Sequence, residues 1–122
     1  MATMGRMNIA VHVDGDAVGG GLGRAHWMAI ATIEGGEITN WEEFEVGWDE
    51  LHGTGAPGTH HARIVRFMRE HDAQAVVTGH MGPPMVNTMT KLKCRPFTEM
   101  FGNAREMALQ AARILEDEAE QG

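Results

Sequence analysis

The sequence contains one cysteine in 122 residues, Cys94. A single thiol excludes an internal disulfide, and with it any zinc ribbon or four-cysteine cluster built from this chain alone. It suits a reducing compartment, so a cytoplasmic location is expected. No apolar run approaches the roughly 20 residues that cross a bilayer, and the start lacks a signal-peptide pattern, so no membrane partner is expected. Cations are scarce too: 10 Lys and Arg stand against 17 Asp and Glu, a formal charge of -7. That balance argues against nucleic acid as a partner, which would need a basic face. Internal repeats and linkers are also missing. A chain of this length with 43% hydrophobic residues suits one domain, expected over residues 7–119 behind a loose leader at 1–6.

What the sequence does have is histidine and methionine, 7 and 10 of them. Both types can ligate soft or borderline metals, although methionine also fills irregular gaps in cores. Charge is unevenly placed. Acids crowd Glu34 to Glu50 and Glu116 to Glu120, whereas Arg63, Arg66, Arg69, Lys91, Lys93 and Arg95 lie later. The acidic average therefore leaves room for a local basic pocket that takes an anion.

Periodicity predicts the order βββαβαβα, an α/β domain. Met7 to Val13 alternates, with Ile9, Val11 and Val13 on one face, and reads as the first strand. Asp14 to Arg24 is too glycine-rich for an element and is expected to be a mobile lid. His26 to Glu34 and Glu37 to Val46 form a hairpin across Gly35-Gly36, with acids on the open face of an edge strand. A second loop, Gly47 to Gly58, precedes a helix over His60 to His71 with Thr59 as its cap. Gln74 to Gly79 reads as a buried parallel strand, and Pro83-Pro84 as the first turn of a helix running to about Lys91. Leu92 to Phe97 is a fifth strand, and Asn103 with Glu106 opens the last helix. Together they give a mixed five-stranded sheet, order 3-2-1-4-5, with three helices. If strand four pairs with strand one, the sheet's switch point lies between Asp14 and the Gly79–Gly82 turn, where the two glycine-rich segments meet.

These segments carry a resemblance. MNIAVHVDGD, LGRAHWMAI, the Gly-Gly hairpin, HGTGAPGTHHARIV and AVVTGHMGPPM, in that order and spacing from Met7 to Ile114, are similar to successive blocks of the dinitrogenase iron-molybdenum cofactor-binding family. The resemblance implies a ribonuclease H-like fold that binds a metal-sulfur cluster for storage or delivery and catalyses no reaction. It implies a cluster-assembly or acceptor protein as partner, and a monomer or weak homodimer. The chain departs from the family in having His80 where a second glycine is usual, Pro84 where a small or acidic residue is usual, and an added His60-His61 pair. The added ligands leave open a cargo other than the nitrogenase cofactor.

The expected cofactor-binding residues are Asp14, Gly21, Gly23, Arg24, Gly79, His80, Met81 and Gly82. His80-Met81 sits between a buried strand and a helix start, where free N–H groups attract anions and an imidazole can ligate a soft metal. The plain alternative is a solvent-facing loop histidine. Arg24 is a candidate anion clamp, and the glycines allow close approach of a bulky ligand. His80, His52, His60 and His61 are the candidate metal ligands; adjacent helical residues point about 100° apart, so one ion rarely takes both His60 and His61. Cys94 is expected to be an inert buried thiol, His12 and His71 structural, and His26 and Trp27 packed in the sheet. A nucleotide loop is excluded because the Asp14–Arg24 stretch has no GK[ST] ending and leads into a strand. A nuclease would need clustered carboxylates, of which Asp14 is the one candidate. Two other readings remain: an interaction or regulatory module without cofactor, and a binder of a single metal ion.

Overall fold

A computed structural model describes residues 5–51, 53, 55–56 and 58–121. Most of the expected leader and His52 lie outside the described residues. The chain runs β1 (Met7–Asp14), β2 (Ala17–Val18), β3 (Trp27–Glu34), β4 (Glu37–Glu45), α1 (Trp48–Leu51), α2 (Thr59–Glu70), β5 (Ala75–Val77), α3 (Pro83–Lys91), β6 (Arg95–Phe97) and α4 (Ala104–Gln121). The five longer strands lie in the order β4-β3-β1-β5-β6, and β2 pairs with β1 off that path. The described sheet thus has six strands where five were expected, and four helices where three were expected. Pairing is antiparallel from β4 through β3 to β1 and parallel from β1 through β5 to β6.

Alternation along β1 divides the core. Ile9, Val11 and Val13 point to the face covered by α4, joined by Ala31, Ile33, Val77, Ala104, Ala108 and Ala111. Ala10 belongs to the opposite face, with Met28, Val76, Ile64, Phe67, Met68 and Met89 beneath α2 and α3. Small alanines on α4 let that helix lie close to the strands. Large side chains fill the other face, each fully buried one contributing about 1.5–3 kcal/mol. With both faces covered, β1 and β5 are buried almost throughout, which is why β5 reads as a continuous apolar run.

Several local expectations are corrected. The Asp14–Arg24 stretch is not a free lid: β2 and a 3-10 turn at Leu22–Arg24 give it structure, and Val18 and Leu22 are buried. Gly15, at φ 64°, and Asp16 turn the chain tightly enough for Val13 to pair with Val18 and Asp14 with Ala17. The second loop holds α1, anchored by Trp48, which is 3% exposed. Thr59 does not cap α2; it begins the helix, and Gly58 at φ 87° makes the turn into it. The last strand is three residues shorter at its start, because Lys93 takes φ 62° after α3 ends. Asn103 does cap α4, its Oδ1 accepting the Glu106 N–H at 3.0 Å.

Candidate functional site

The parallel strands β1, β5 and β6 end on the same side of the sheet, and there the glycine-rich segment crosses the end of β5. Gly79 N–H donates to Gly19 O (2.9 Å), His80 N–H to Gly20 O (3.0 Å) and Leu22 N–H to His80 O (3.0 Å). Backbones this close leave no space for a side chain on Gly79, whose Cβ would stand 2.8 Å from Gly19 O, and a Cβ on Gly19 would run into the His12 ring. His12 lies beneath this crossing, 6% exposed. Its Nδ1 is 3.2 Å from Thr78 Oγ1, and the Thr78 hydroxyl donates to Gly20 O at 2.8 Å. Since that hydroxyl proton is committed, neutral His12 carries its own proton on Nδ1. The relay His12–Thr78–Gly20 fixes the glycine segment from below, so His12 is a positioning residue.

Burial holds the His12 pKa below its ordinary value of 6.5, the nearby Gly20 carbonyl and Asp14 only partly opposing this. The fold therefore accepts the neutral ring. Its contribution to stability is present above pH about 6.5 and is lost as pH falls through the lower folded-state value. Melting temperature should fall on acidification across that window, and His12→Gln should flatten this part of the profile relative to the parent. An unchanged slope would show that His12 is not the titrating group.

Above the crossing, a cavity of about 480 Å³ opens between the glycine segment, the start of α2 and the β5–α3 turn. It gathers Gly21, Gly23, Arg24, His60, His61, His80, Met81 and Gly82 from the expected set, and adds Leu22, Gly58, Ile64 and Met85. Among the described residues no carboxylate lines it, in a chain of formal charge -7. Gly79 lies beneath as the crossing point. Asp14 is elsewhere: it lines a neighbouring hollow of about 360 Å³ with His12 and His26, and Gly21 and Arg24 border both spaces.

The histidines differ in what they have left to offer. His60 Nε2 lies 2.6 Å from Gly23 O and its Nδ1 3.3 Å from Arg63 Nη1, so both ring nitrogens hold structure. His61 Nε2–H donates to Thr88 Oγ1 at 2.7 Å, because the Thr88 hydroxyl itself donates to Pro84 O; Nδ1 keeps its lone pair. The His80 ring is exposed and has no hydrogen-bond partner among the described residues. Beside it Met81 is 6% exposed and Met85 half-buried.

The start of α3 does not provide the N–H groups expected of it. Pro83 and Pro84 have none, and the N–H groups of Met85 and Val86 both donate to Gly82 O at 3.0 Å. The available donors come from the turns instead. Among the described residues, the N–H groups of Gly21, Gly23, Met81 and Gly82 have no backbone acceptor. Together with Arg24 on the rim, they favour a negatively charged occupant.

Other residues fall outside this cavity. Cys94 is buried, and desolvation pushes its thiol up to about 12, consistent with an unreactive cysteine. His71 stacks at 4.6 Å from both Phe44 and Phe67. His26 and Trp27 are not packed in the sheet as expected: Trp27 is 40% exposed, and His26 turns outward to bond Asp49 and Glu45. Those carboxylates, Asp49 foremost, raise the His26 pKa, and the hydrogen bond from His26 in turn lowers that of Asp49. Sequence reasoning missed this cluster because Asp49 lies 23 residues from His26. It also missed Met85, although the Pro83-Pro84 helix start placed that residue in the first turn of the helix that follows His80.

No helix among the described residues is long and apolar enough to cross a membrane. No curated protein matches the chain. Among solved structures it is similar to PH0822, with TM-score 0.69 and 21% identity over 88% of this chain and 89% of that one. It is also similar to MJ0327 from Methanococcus jannaschii, described as a candidate dinitrogenase. Its NMR structure gives TM-score 0.64 at 13% identity over 94% and 92% of the two chains. Its 1.70 Å crystal structure gives TM-score 0.64 at 14% identity over 93% of each. At these identities the likeness is one of fold. Residues 5–113 match the family described as dinitrogenase iron-molybdenum cofactor, and the chain belongs to that family.

Proposed function

We propose that the chain is a carrier that binds an anionic metal-sulfur cluster, the iron-molybdenum cofactor, a precursor or a relative, in the cavity around His80. One observation carries this reading: among the described residues the cavity is lined by Arg24 and three histidines and by no carboxylate, in a chain with an excess of acids. Its 480 Å³ is more than ten times the ~30 Å³ share of one water, so it suits a multi-atom ligand better than a bare ion. His80 is the leading protein ligand, since its ring is uncommitted, with His61 Nδ1 and the Met81 thioether beside it. His60 supports the glycine segment. The cluster brings its own sulfide, so the lack of an available thiolate is no obstacle. Domain 7–119 acts in the cytoplasm as a ribonuclease H-like, non-catalytic unit, a monomer or weak homodimer, and hands its cargo to an acceptor protein.

Anaerobic titration with isolated iron-molybdenum cofactor, followed by molybdenum and iron analysis of the protein peak, tests the reading. His80→Ala should weaken binding at least about tenfold, equivalent to ~1.4 kcal/mol. The melting temperature of the apo protein should stay near the parent's, since the ring is exposed. His71→Ala, remote from the cavity, should bind like the parent. If the parent takes up no molybdenum, the carrier reading fails. If parent and His80→Ala bind equally, His80 is not a ligand.

A further inference from the structure

Away from the cavity, the start of β3, the end of β4 and α1 bring four titratable side chains to one point. His26 Nδ1 lies 2.8 Å from Asp49 Oδ1 and 3.6 Å from Glu50 Oε1, and its Nε2 lies 2.7 Å from Glu45 Oε2. One potential ligand atom from each of His26, Asp49 and Glu50 falls within 4.8 Å of the other two. Even a protonated imidazole leaves this group with two negative charges in excess. The frame beneath is backbone. His26 O accepts the N–H groups of Val46 (2.9 Å) and Gly47 (3.1 Å), and Ala25 O accepts that of Asp49 (3.3 Å). Buried Trp48 anchors the helical turn that carries both acids. The ligand-bearing positions are therefore held in place before any ion arrives.

We infer that His26, Asp49 and Glu50 form a second site, for a divalent transition-metal ion of the zinc type, independent of the cofactor cavity. His26 Nδ1 and one oxygen from each acid are the protein ligands, and water completes the shell. Glu45 takes the part of the carboxylate that accepts the far ring N–H of a ligating histidine, fixing its tautomer and raising its basicity. An imidazole with two carboxylates suits zinc and its neighbours better than calcium or magnesium, which prefer all-oxygen shells. A tetrahedral ion with bonds near 2.0–2.1 Å holds its ligands about 3.3 Å apart. Glu50 stands close to that separation, and the Asp49 contact has to open by roughly half an ångström. The ion replaces the Nδ1 proton, so binding releases a proton and strengthens with rising pH.

Calorimetric titration of the full chain with zinc alone tests this. His26→Gln and Asp49→Asn should each weaken the tightest zinc site at least tenfold, Glu45→Gln by a smaller factor, and His80→Ala not at all. The heat should vary with the ionisation enthalpy of the buffer, as proton release requires. If His26→Gln fails to fold, the exposed pair Asp49→Asn, Glu50→Gln serves in its place and should abolish saturable binding. The inference is overturned if zinc does not bind, if binding survives these changes, or if it is lost only in His80→Ala. That last result would move the ion to the cofactor cavity. Molybdenum uptake that is unchanged in His26→Gln separates this site from the proposed carrier function.

Discussion

Replacing Phe67 with alanine should lower the unfolding free energy by about 3–5 kcal/mol, the usual cost of deleting a buried aromatic ring. For a domain of this size the melting temperature should fall on the order of 10–20 °C. Phe67 ties α2 to two other elements: its ring meets Phe44 of β4 edge-on at 5.7 Å and Trp48 of α1 at 5.6 Å, and it also meets His71, just beyond α2, at 4.6 Å. Chemical denaturation should report the loss, while Phe67→Leu, which keeps most of the volume, should retain well over half of it. A cost below about 1 kcal/mol for Phe67→Ala would mean that the site collapses freely and that this aromatic group does not hold α2 to the sheet.

Gly79→Ala should damage both stability and cofactor binding. Its added methyl would lie 2.8 Å from Gly19 O and 3.2 Å from Gly20 Cα. Neither backbone atom can move without breaking the bonds from Gly79 and His80 to the glycine segment. A loss of about 1–3 kcal/mol is expected from this overpacking. Cofactor affinity should drop on the order of a hundredfold, more than for His80→Ala, because the cavity wall itself shifts (~2.7 kcal/mol). Gly82→Ala is the control: its methyl finds nothing nearer than Pro84 Cδ at 3.8 Å, and its φ is -67°. It should leave stability within about 0.5 kcal/mol. Equal effects of the two substitutions would show that the crossing is not what shapes the site.

Much of this arrangement could be read from the sequence because the signals were local. The alternation of Ile9, Val11 and Val13, the Gly35-Gly36 turn and the Asn103 cap each act over a few residues. The meeting of the two glycine-rich segments followed from one inference, that β5 lies beside β1, and it placed most of the cavity lining. What escaped depends on distant partners. β2 exists because Val13 faces Val18 while Val18 N–H also donates to Gly102 O. α1 exists because Trp48 has a core to enter. His60 looks like a free ligand until Gly23 and Arg63 are found on its two nitrogens. His26 looks like a strand residue until the returning chain sets Asp49 against it. Pro83-Pro84 marked the helix correctly, yet the same residues remove the N–H groups that made its start attractive to an anion.

The crossing of the glycine segment over β5 also bears on when the site exists. β1, β3 and β4 form by hairpins between neighbours in sequence, whereas Thr78 and Gly20 bond across 58 residues. Closing so long a loop costs chain entropy before any contact returns it, so the local meander is expected to assemble ahead of this junction. A cargo seated across the junction touches an early-forming part and a late-forming part of the chain at once. Its binding energy then adds to the stability of the whole, by mass action on the folded state alone. For the carrier function proposed above, loading and folding would thereby be coupled, and a loaded chain would be a more durable object than an empty one.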